Sequence, residues 1–428
     1  MADFDAIVVG SGCAGSVAAY ELARAGKSVL VVERGNSAGA KNMTGGRIYS
    51  HSLKKVFPDF ENDAPLERKI THERISMLSP DANFTVDFTS EAMNEEGKDS
   101  YSVLRATFDP WLAQQAEDAG AEYIYGIAVE DLLEQEGKIV GVMAGEDEIT
   151  ADVVLLCDGV NSLLTEKAVG FVRPSASAMA VGLKQVIALP EGVIGDRLLC
   201  AEGEGAAWLF AGDATQGHVG GGFMYTNKDS ISLGLVATIA DAATAETPVY
   251  QMLEDLKAHP SVAPLIRGGK VVEYSGHMVP EGGLDMMPNL VGDGVLLAGE
   301  SAMMCVNLGY QVRGMDYAIA AGMHAGQCAA CALDAGDTSK AGLQCYVDAL
   351  NNSFVLKDLK QFRRFPHFME STTRMFNEYP AMVRDVMNTM FVVDGEPVKP
   401  LKKSIMPIVK KIGILNLLRD VRGGMKAL

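Results

Sequence analysis

Apolar residues in this chain come in short solid blocks, in alternating runs and in helical stripes, and each kind of pattern occupies its own stretch. Residues 6–9 and 29–32 are solidly apolar and are joined by a glycine-rich turn and a helical stretch over about 14–25. That order predicts strand, helix, strand, in a unit whose strands are buried on both faces. Residues 153–157 and 295–298 repeat the short buried-strand pattern. Between the first unit and residue 153, residues 73–88 hold strand-like runs broken by Ser79-Pro80 and Asp81-Ala82-Asn83, and residues 101–119 read as a turn and a helix. From about 181 to 274 the pattern is β-rich, with Gly, Asp and Asn separating runs at 181–189, 206–211, 223–226 and 231–237. Such spacing predicts an antiparallel sheet. Residues 315–333 are Ala-rich and helical, and roughly the last eighty residues also have helical propensity.

These elements give an α/β chain in which a Rossmann-like domain is interrupted by an antiparallel sheet and completed late. The expected divisions are 1–72, 100–165 and 285–340 for the first domain, 73–99 and 166–284 for the sheet domain that holds the substrate, and 341–428 for a helical C-terminal region. A length of 428 residues exceeds what one core supports, which agrees with several units. The longest apolar helix is interrupted by His324 and Gln327, so no membrane-spanning segment is expected. The chain enters its first strand without a basic leader, and its seven cysteines are an odd number; both point to a cytoplasmic protein with reduced thiols. A net charge of −18 argues against nucleic-acid binding. From Lys399 onward, however, eight basic residues face Asp420 alone, a local +7 that leaves −25 on the rest.

The first chemistry-bearing motif is Gly10-Ser11-Gly12-Cys13-Ala14-Gly15, between a strand and a helix. The first glycine makes the turn, the second admits a pyrophosphate close to the backbone, and the third lets helix and strand pack. The helix then presents its positive end to the phosphates. Cys13 and Ala14 are small residues inside that loop. Glu33 closes the second strand, where a carboxylate can accept hydrogen bonds from ribose hydroxyls and disfavour a 2′-phosphate. The fingerprint alone does not separate NAD from FAD.

Other stretches do. Asp158-Gly159, after a strand, resembles the Asp-Gly motif of the flavoprotein superfamily of geranylgeranyl reductases, aromatic hydroxylases and electron-transfer-flavoprotein:quinone oxidoreductases. Gly299-Glu300-Ser301-Ala302-Met303 resembles its Gly-Asp-Ala-Ala-Gly motif, with Glu300 and Met303 as departures, and Arg105 matches an arginine near the cofactor. The run from Glu33 and Arg34 through Lys41, Asn42, Thr44, Gly45, Gly46 and Arg47 is similar to the FixC family, the smaller bacterial relatives of the quinone oxidoreductases, along essentially the whole chain. That resemblance implies FAD as cofactor, with further contacts from Val129, Gly309, Arg313 and Gly314. A helix beginning near Arg313-Gly314 would aim its N-terminus at the pyrimidine end of the flavin. Gly182-Leu183-Lys184-Gln185 and Gly220-Gly221-Gly222-Phe223-Met224-Tyr225 are further matches, and the family places the paired glycines Gly220 and Gly221 at the quinone ring.

A single nucleotide fingerprint is present and no Cys-rich iron–sulfur run. The resemblance then implies electrons passing from an electron-transferring flavoprotein towards a quinone, with a ferredoxin-like iron–sulfur protein as a further partner and no catalytic side chain required. Trp208-x-Phe210 followed by Gly220-x-Gly222 resembles a motif of the geranylgeranyl reductases, so an isoprenoid double-bond reductase is an alternative; Ala206 and Ala211 replace two of its shape-defining residues. A flavin-carrying interaction subunit without chemistry is a third reading. Cys328-x-x-Cys331 with His324 lacks a fourth ligand and reads as packing, so no metal site is expected. Ile405, Ile408, Val409, Ile412 and Leu415 recur at helical spacing, flanked by Lys402, Lys403, Lys410 and Lys411. Such a tail suits peripheral contact with the inner face of an anionic membrane, an acidic partner, or docking on its own core. Gly413 and Pro407 limit its continuous length.

Overall fold

A computed structural model describes residues 2–42 and 46–428. Two sheets organise it. In the first, Val295–Leu297, Asp147–Leu156, Phe4–Val9, Val29–Glu33 and Glu122–Tyr125 lie side by side in parallel, and Val291–Gly292 adds an antiparallel edge. Val8 aligns with Val31 on one side and Leu155 on the other, and all three are fully buried. Strands covered on both faces explain the solid apolar blocks. The expected strand–helix–strand unit is present, with the helix at Cys13–Arg24.

That helix packs against Met315–Ala335. The two backbones approach so closely that a Cβ on Gly322 would lie 2.2 Å from the Ala14 carbonyl oxygen, and one on Gly326 2.6 Å from that of Ala18. Late completion of the first domain is thus a packing event, since the helix after the last parallel strand covers the helix after the first.

The second sheet runs Lys270–Pro280, Met179–Ala188, Ser230–Thr238, Gly220–Thr226, Glu204–Gly212, Leu66–Ser79, Ser100–Val103, Arg47–Tyr49, with Ala82–Phe88 paired onto Leu66–Ser79. All neighbours are antiparallel except Glu204–Gly212 with Leu66–Ser79. That parallel pair joins segments far apart in sequence, where no hairpin dictates direction. The sheet also recruits Arg47–Tyr49 and Ser100–Val103, whose Ile48 and Val103 are buried in a core shared with Phe108, Leu112 and Ile319. It is therefore physically continuous with the dinucleotide fold.

The C-terminal region is helical, over Gln344–Asn352, Phe354–Gln361, Phe365–Ser371, Glu378–Phe391, Leu401–Ile412 and Ile414–Ala427. Pro407 lies inside the fifth of these, and Gly413, at φ 93°, separates the last two. The tail is anchored: Asp420 accepts from Arg374 Nε at 2.7 Å and from the Tyr379 hydroxyl at 2.7 Å, and Ala427 is buried. Leu415, Leu418, Val421 and Met425 of its last helix remain exposed among the basic residues.

The expectation of reduced thiols throughout is corrected. Cys328 and Cys345 form a disulfide that ties Met315–Ala335 to Gln344–Asn352, because the turn between these helices folds one Cys back over the other. Cys331, one turn further along the same helix, is exposed and free. No helix among the described residues is long and apolar enough to cross a membrane.

Candidate functional site

The glycine loop Gly10–Gly15 sits where the chain leaves the centre of the parallel sheet. Gly10 takes φ 95°, and a Cβ on Gly15 would stand 1.9 Å from the Gly10 carbonyl oxygen, so only glycine lets the helix start this close to the strand. Gly15 is consumed by packing and does not line the cavity that opens above the loop, whereas Gly10, Gly12, Cys13 and Ala14 do. No side chain caps the helix at Gly12. A Cβ on Gly12 would point towards two donors, Arg105 Nη2 at 3.5 Å and Asn42 Nδ2 at 3.7 Å. A bare loop facing a guanidinium, an amide and a helix N-terminus fits an anionic diphosphate.

Asp109 organises those donors, and its role was not read from the sequence. It is fully buried and accepts from Arg105 Nη2 at 2.7 Å and Asn42 Nδ2 at 2.7 Å. Burial disfavours the Arg105 charge, yet Asp109 outweighs it and holds the guanidinium firmly protonated. The signal was available, because Arg105 and Asp109 stand four apart at the start of a helix. Burial pushes the Cys13 thiol up to about 12, so it stays a neutral, small loop residue.

Glu33 closes its strand, lines the cavity, and accepts from the backbone N–H and hydroxyl of Ser11 at 2.9 and 3.0 Å and from the Gly35 N–H at 2.6 Å. Those bonds fix the carboxylate beside the glycine loop. Arg34, Lys41, Val129 and Gly309 also line the cavity, and Thr44 and Gly45 lie outside the described residues. Gly46 lies against Tyr225, whose Cδ2 would be 2.4 Å from a Cβ there. Arg47 forms an ion pair with Glu73, donates to Ser100 Oγ at 3.1 Å and stacks over Tyr49 at 4.4 Å.

Asp158-Gly159 and Gly299-Glu300 meet across the top of the parallel sheet. Ser301 Oγ donates to Asp158 Oδ1 at 2.9 Å and accepts from the Gly159 N–H at 2.9 Å. Burial raises the Asp158 carboxyl above its ordinary range, against the pull of the Ser162 and Ser301 hydroxyls. Glu300 reaches His277 Nε2 at 3.4 Å, a contact to the second sheet that its extra methylene favours. Met303 takes φ 59°, a left-handed position where glycine is usual, and buries its side chain beside Met179 and Met286.

Gly314 lines the cavity immediately before the helix Met315–Ala335. Arg313 does not. Its guanidinium bonds Asp316 and Asp358 and stacks on Tyr317 at 4.9 Å, pinning the helix from outside the cavity.

One face of the second sheet forms the opposite wall. Val219, Thr238, Ala180 and Val279 stand in one row across four strands and all line the cavity, as do Gly220, Gly221, His277 and Glu281. The glycine pair is needed by the sheet itself: a Cβ on Gly220 would lie 2.0 Å from the Val236 carbonyl oxygen, and one on Gly221 2.7 Å from that of Phe210. Trp208 is turned into the second core, stacked on Phe210 at 5.1 Å, with its indole N–H donating to Ser76. Lys184 is 2 % exposed; desolvation lowers its pKa despite Glu273 at 3.4 Å.

The third wall comes from the C-terminal helices, including Phe365, Met369, Tyr379, Val421 and Met425. Sequence periodicity alone had left this region with no part in the site. The enclosed volume is about 1210 Å³. Ordinary small-molecule sites reach roughly 300–1,000 Å³, so the cavity has room for a large cofactor and a second molecule.

Comparison with known proteins agrees with this geometry. Residues 5–85 match the FAD dependent oxidoreductase family, residues 200–279 the ubiquinone-binding domain of ETF-QO, and residues 365–428 the ETF-QO/FixC family C-terminal domain. The chain is 52% identical over 426 residues to YdiS of Escherichia coli K12, named as a probable electron transfer flavoprotein-quinone oxidoreductase, with 99% of each chain covered. It is 49% identical over 425 residues to the protein FixC of Salmonella typhi, again with 99% of each covered. Among solved structures, a geranylgeranyl bacteriochlorophyll reductase-like protein from Thermoplasma acidophilum superposes with a TM-score of 0.73 at 17% identity, covering 98% of this chain and 99% of that one. The myxobacterial halogenase CndH gives 0.63 at 16%, covering 99% and 90%. At such identities the two structures share the fold.

Proposed function

The chain belongs to the FixC and electron-transfer-flavoprotein:quinone oxidoreductase family of FAD-dependent oxidoreductases, and on that premise we propose that it takes electrons from an electron-transferring flavoprotein and passes them to a quinone in the cavity. The observation that carries this reading is the single cavity that runs from the Gly10–Gly15 loop to the Gly220–Gly221 face of the second sheet. Both redox molecules can therefore occupy one enclosure. FAD supplies the chemistry, since it accepts two electrons and can release them one at a time.

The chain's own residues bind, orient and shield. Gly12, Arg105 and Asn42 hold the diphosphate, and Glu33 takes the ribose hydroxyls. Asp158, Gly159, Gly299 and Glu300 line the passage to the ring, and Gly314 opens a helix whose positive end favours negative charge on the pyrimidine side. The row Val219, Thr238, Ala180 and Val279 gives the quinone an apolar surface that excludes water. A ferredoxin-like iron–sulfur protein is the further partner in this reading, because the sequence carries no cluster motif of its own.

Peripheral membrane contact completes the proposal. Exposed Leu415, Leu418, Val421 and Met425 lie among Arg419 and Arg422 on the last helix, which lines the cavity, with Lys410 and Lys411 on the helix before it, so a quinone leaving an anionic lipid surface would meet the cavity directly.

The test is to mix the FAD-loaded protein with reduced electron-transferring flavoprotein, a ferredoxin-like partner and a soluble quinone. Flavin reduction followed by quinol formation is expected, and absence of both overturns the reading. Lys410→Glu with Lys411→Glu is expected to weaken sedimentation with anionic vesicles by on the order of tenfold or more, leaving neutral vesicles unaffected.

A further inference from the structure

Glu281 lines the second-sheet wall of the cavity as an ionisable side chain. It follows the strand Lys270–Pro280, and its backbone N–H bonds the Ala178 carbonyl at 2.9 Å, so the strand's alternation still governs it. His277, Val279 and Glu281 therefore point to the same side, into the cavity. Glu281 stands between that cavity and a second, much smaller void that it lines together with Leu308, Leu359, Phe362, Phe365 and Pro366.

Its polar company is sparse. Asn307 Nδ2 lies 3.4 and 3.2 Å from the two carboxylate oxygens. The titratable group beside it is the buried thiol of Cys305, itself pushed well above its ordinary value by burial. On the cavity side, His277 is engaged with Glu300 at 3.4 Å and Arg363 with Asp285 at 2.6 Å. The helices Phe354–Gln361 and Phe365–Ser371 present Leu359, Phe365 and Pro366 to it. A carboxyl with one neutral donor and no cation prefers to keep its proton, and burial raises it to about 7.

Resting on the reading that a quinone is reduced in this cavity, we propose that Glu281 is the proton-relay residue for that reduction, with Asn307 holding its carboxyl towards the cavity. Quinone to quinol requires two electrons and two protons, turning each carbonyl into a hydroxyl. The electrons and one proton come from the anionic reduced flavin. Glu281 supplies the second proton: its O–H bond breaks as the new bond to the quinone oxygen forms, and the carboxylate keeps the electron pair. Water entering the cavity then reprotonates it. A group titrating near neutrality is suited to such transfer in both directions.

The test uses the full FAD-loaded chain, reduced with dithionite and mixed with a short-chain benzoquinone across pH 6 to 9. Wild-type reoxidation is expected to slow as pH rises through about 7, where Glu281 loses its proton. Glu281→Gln is expected to slow it by roughly tenfold or more at pH 6 and to abolish that pH break, whereas Glu281→Asp keeps the break. Infrared titration of the oxidised protein gives a second readout: a protonated-carboxyl band that disappears near neutrality in wild type and is missing in Glu281→Gln. If Glu281→Gln fails to fold, the Asp variant and the wild-type titration still decide. Unchanged rate and pH profile in Glu281→Gln, or no carboxyl band titrating near neutrality, overturns the relay alone. Failure of quinone to reoxidise the reduced wild type overturns both the relay and the quinone reading.

Discussion

The floor and the far wall of the cavity are built differently. The floor is backbone: a glycine loop, a helix start and strand ends, set by residues that are close in sequence. The wall is side chains from four strands and several helices that meet only in the folded chain. Contiguous segments dictate a cofactor cradle locally, because turn, strand and helix propensities fix it before tertiary packing begins. An assembled wall has no such local code, and its chemistry depends on what happens to face inward.

That contrast can be broken. The largest effect is expected from Gly15→Val, whose Cβ meets the Gly10 carbonyl oxygen at 1.9 Å. A loss of about 3 kcal/mol is expected, with bound flavin per protein falling near zero. Retention of flavin would mean that the loop is not the cradle. Next is Glu33→Ala, which strips the acceptor from Ser11 and Gly35. About 2 kcal/mol of stability is expected to go, along with tight FAD retention, measured by thermal melting and ultrafiltration.

The wall is expected to behave differently. Gly221→Ala brings a Cβ to 2.7 Å from the Phe210 carbonyl oxygen and shifts the sheet face. Quinone reactivity is expected to fall about tenfold, equivalent to about 1.4 kcal/mol, while flavin content stays normal. Equal loss of flavin would collapse the distinction between floor and wall.

The smallest effect concerns the third wall. Hydrogen bonding from Arg374 lowers the Asp420 pKa below its ordinary 3.8, so the folded state binds this proton more weakly than the unfolded chain. Its stabilisation is complete above the ordinary carboxylate range and is lost as pH falls through the lowered value. About 1 kcal/mol is expected, and Asp420→Asn should remove it and speed proteolysis of the last helix at neutral pH.

Much of the floor was legible in the sequence. Gly10, Gly12 and Glu33 line the cavity where the spacing put them, and Gly15 performs the packing expected of a third glycine. Arg313 is instructive in the other direction. It stands in a stretch that reaches the cavity, but Asp316 and Asp358 claim its guanidinium from outside, and nothing local reveals Asp358. The Cys328–Cys345 bond was hidden for the same reason, since an odd cysteine count says nothing about which two the helix turn brings together. Gly220 and Gly221 were read as backbone offered to a ligand, and the sheet's own close strand approach already requires them.

Sequence alone determined the strands, the glycine loop, the acid at the end of the second strand and the basic amphipathic tail, because each rests on periodicity or on contacts within about twenty residues. Tertiary structure alone decided that C-terminal helices wall the cavity, that Asp109 gathers Arg105 and Asn42, and that Glu281 faces the cavity. Burial and partnership are properties of the assembled surface, and no residue carries them before its neighbours arrive.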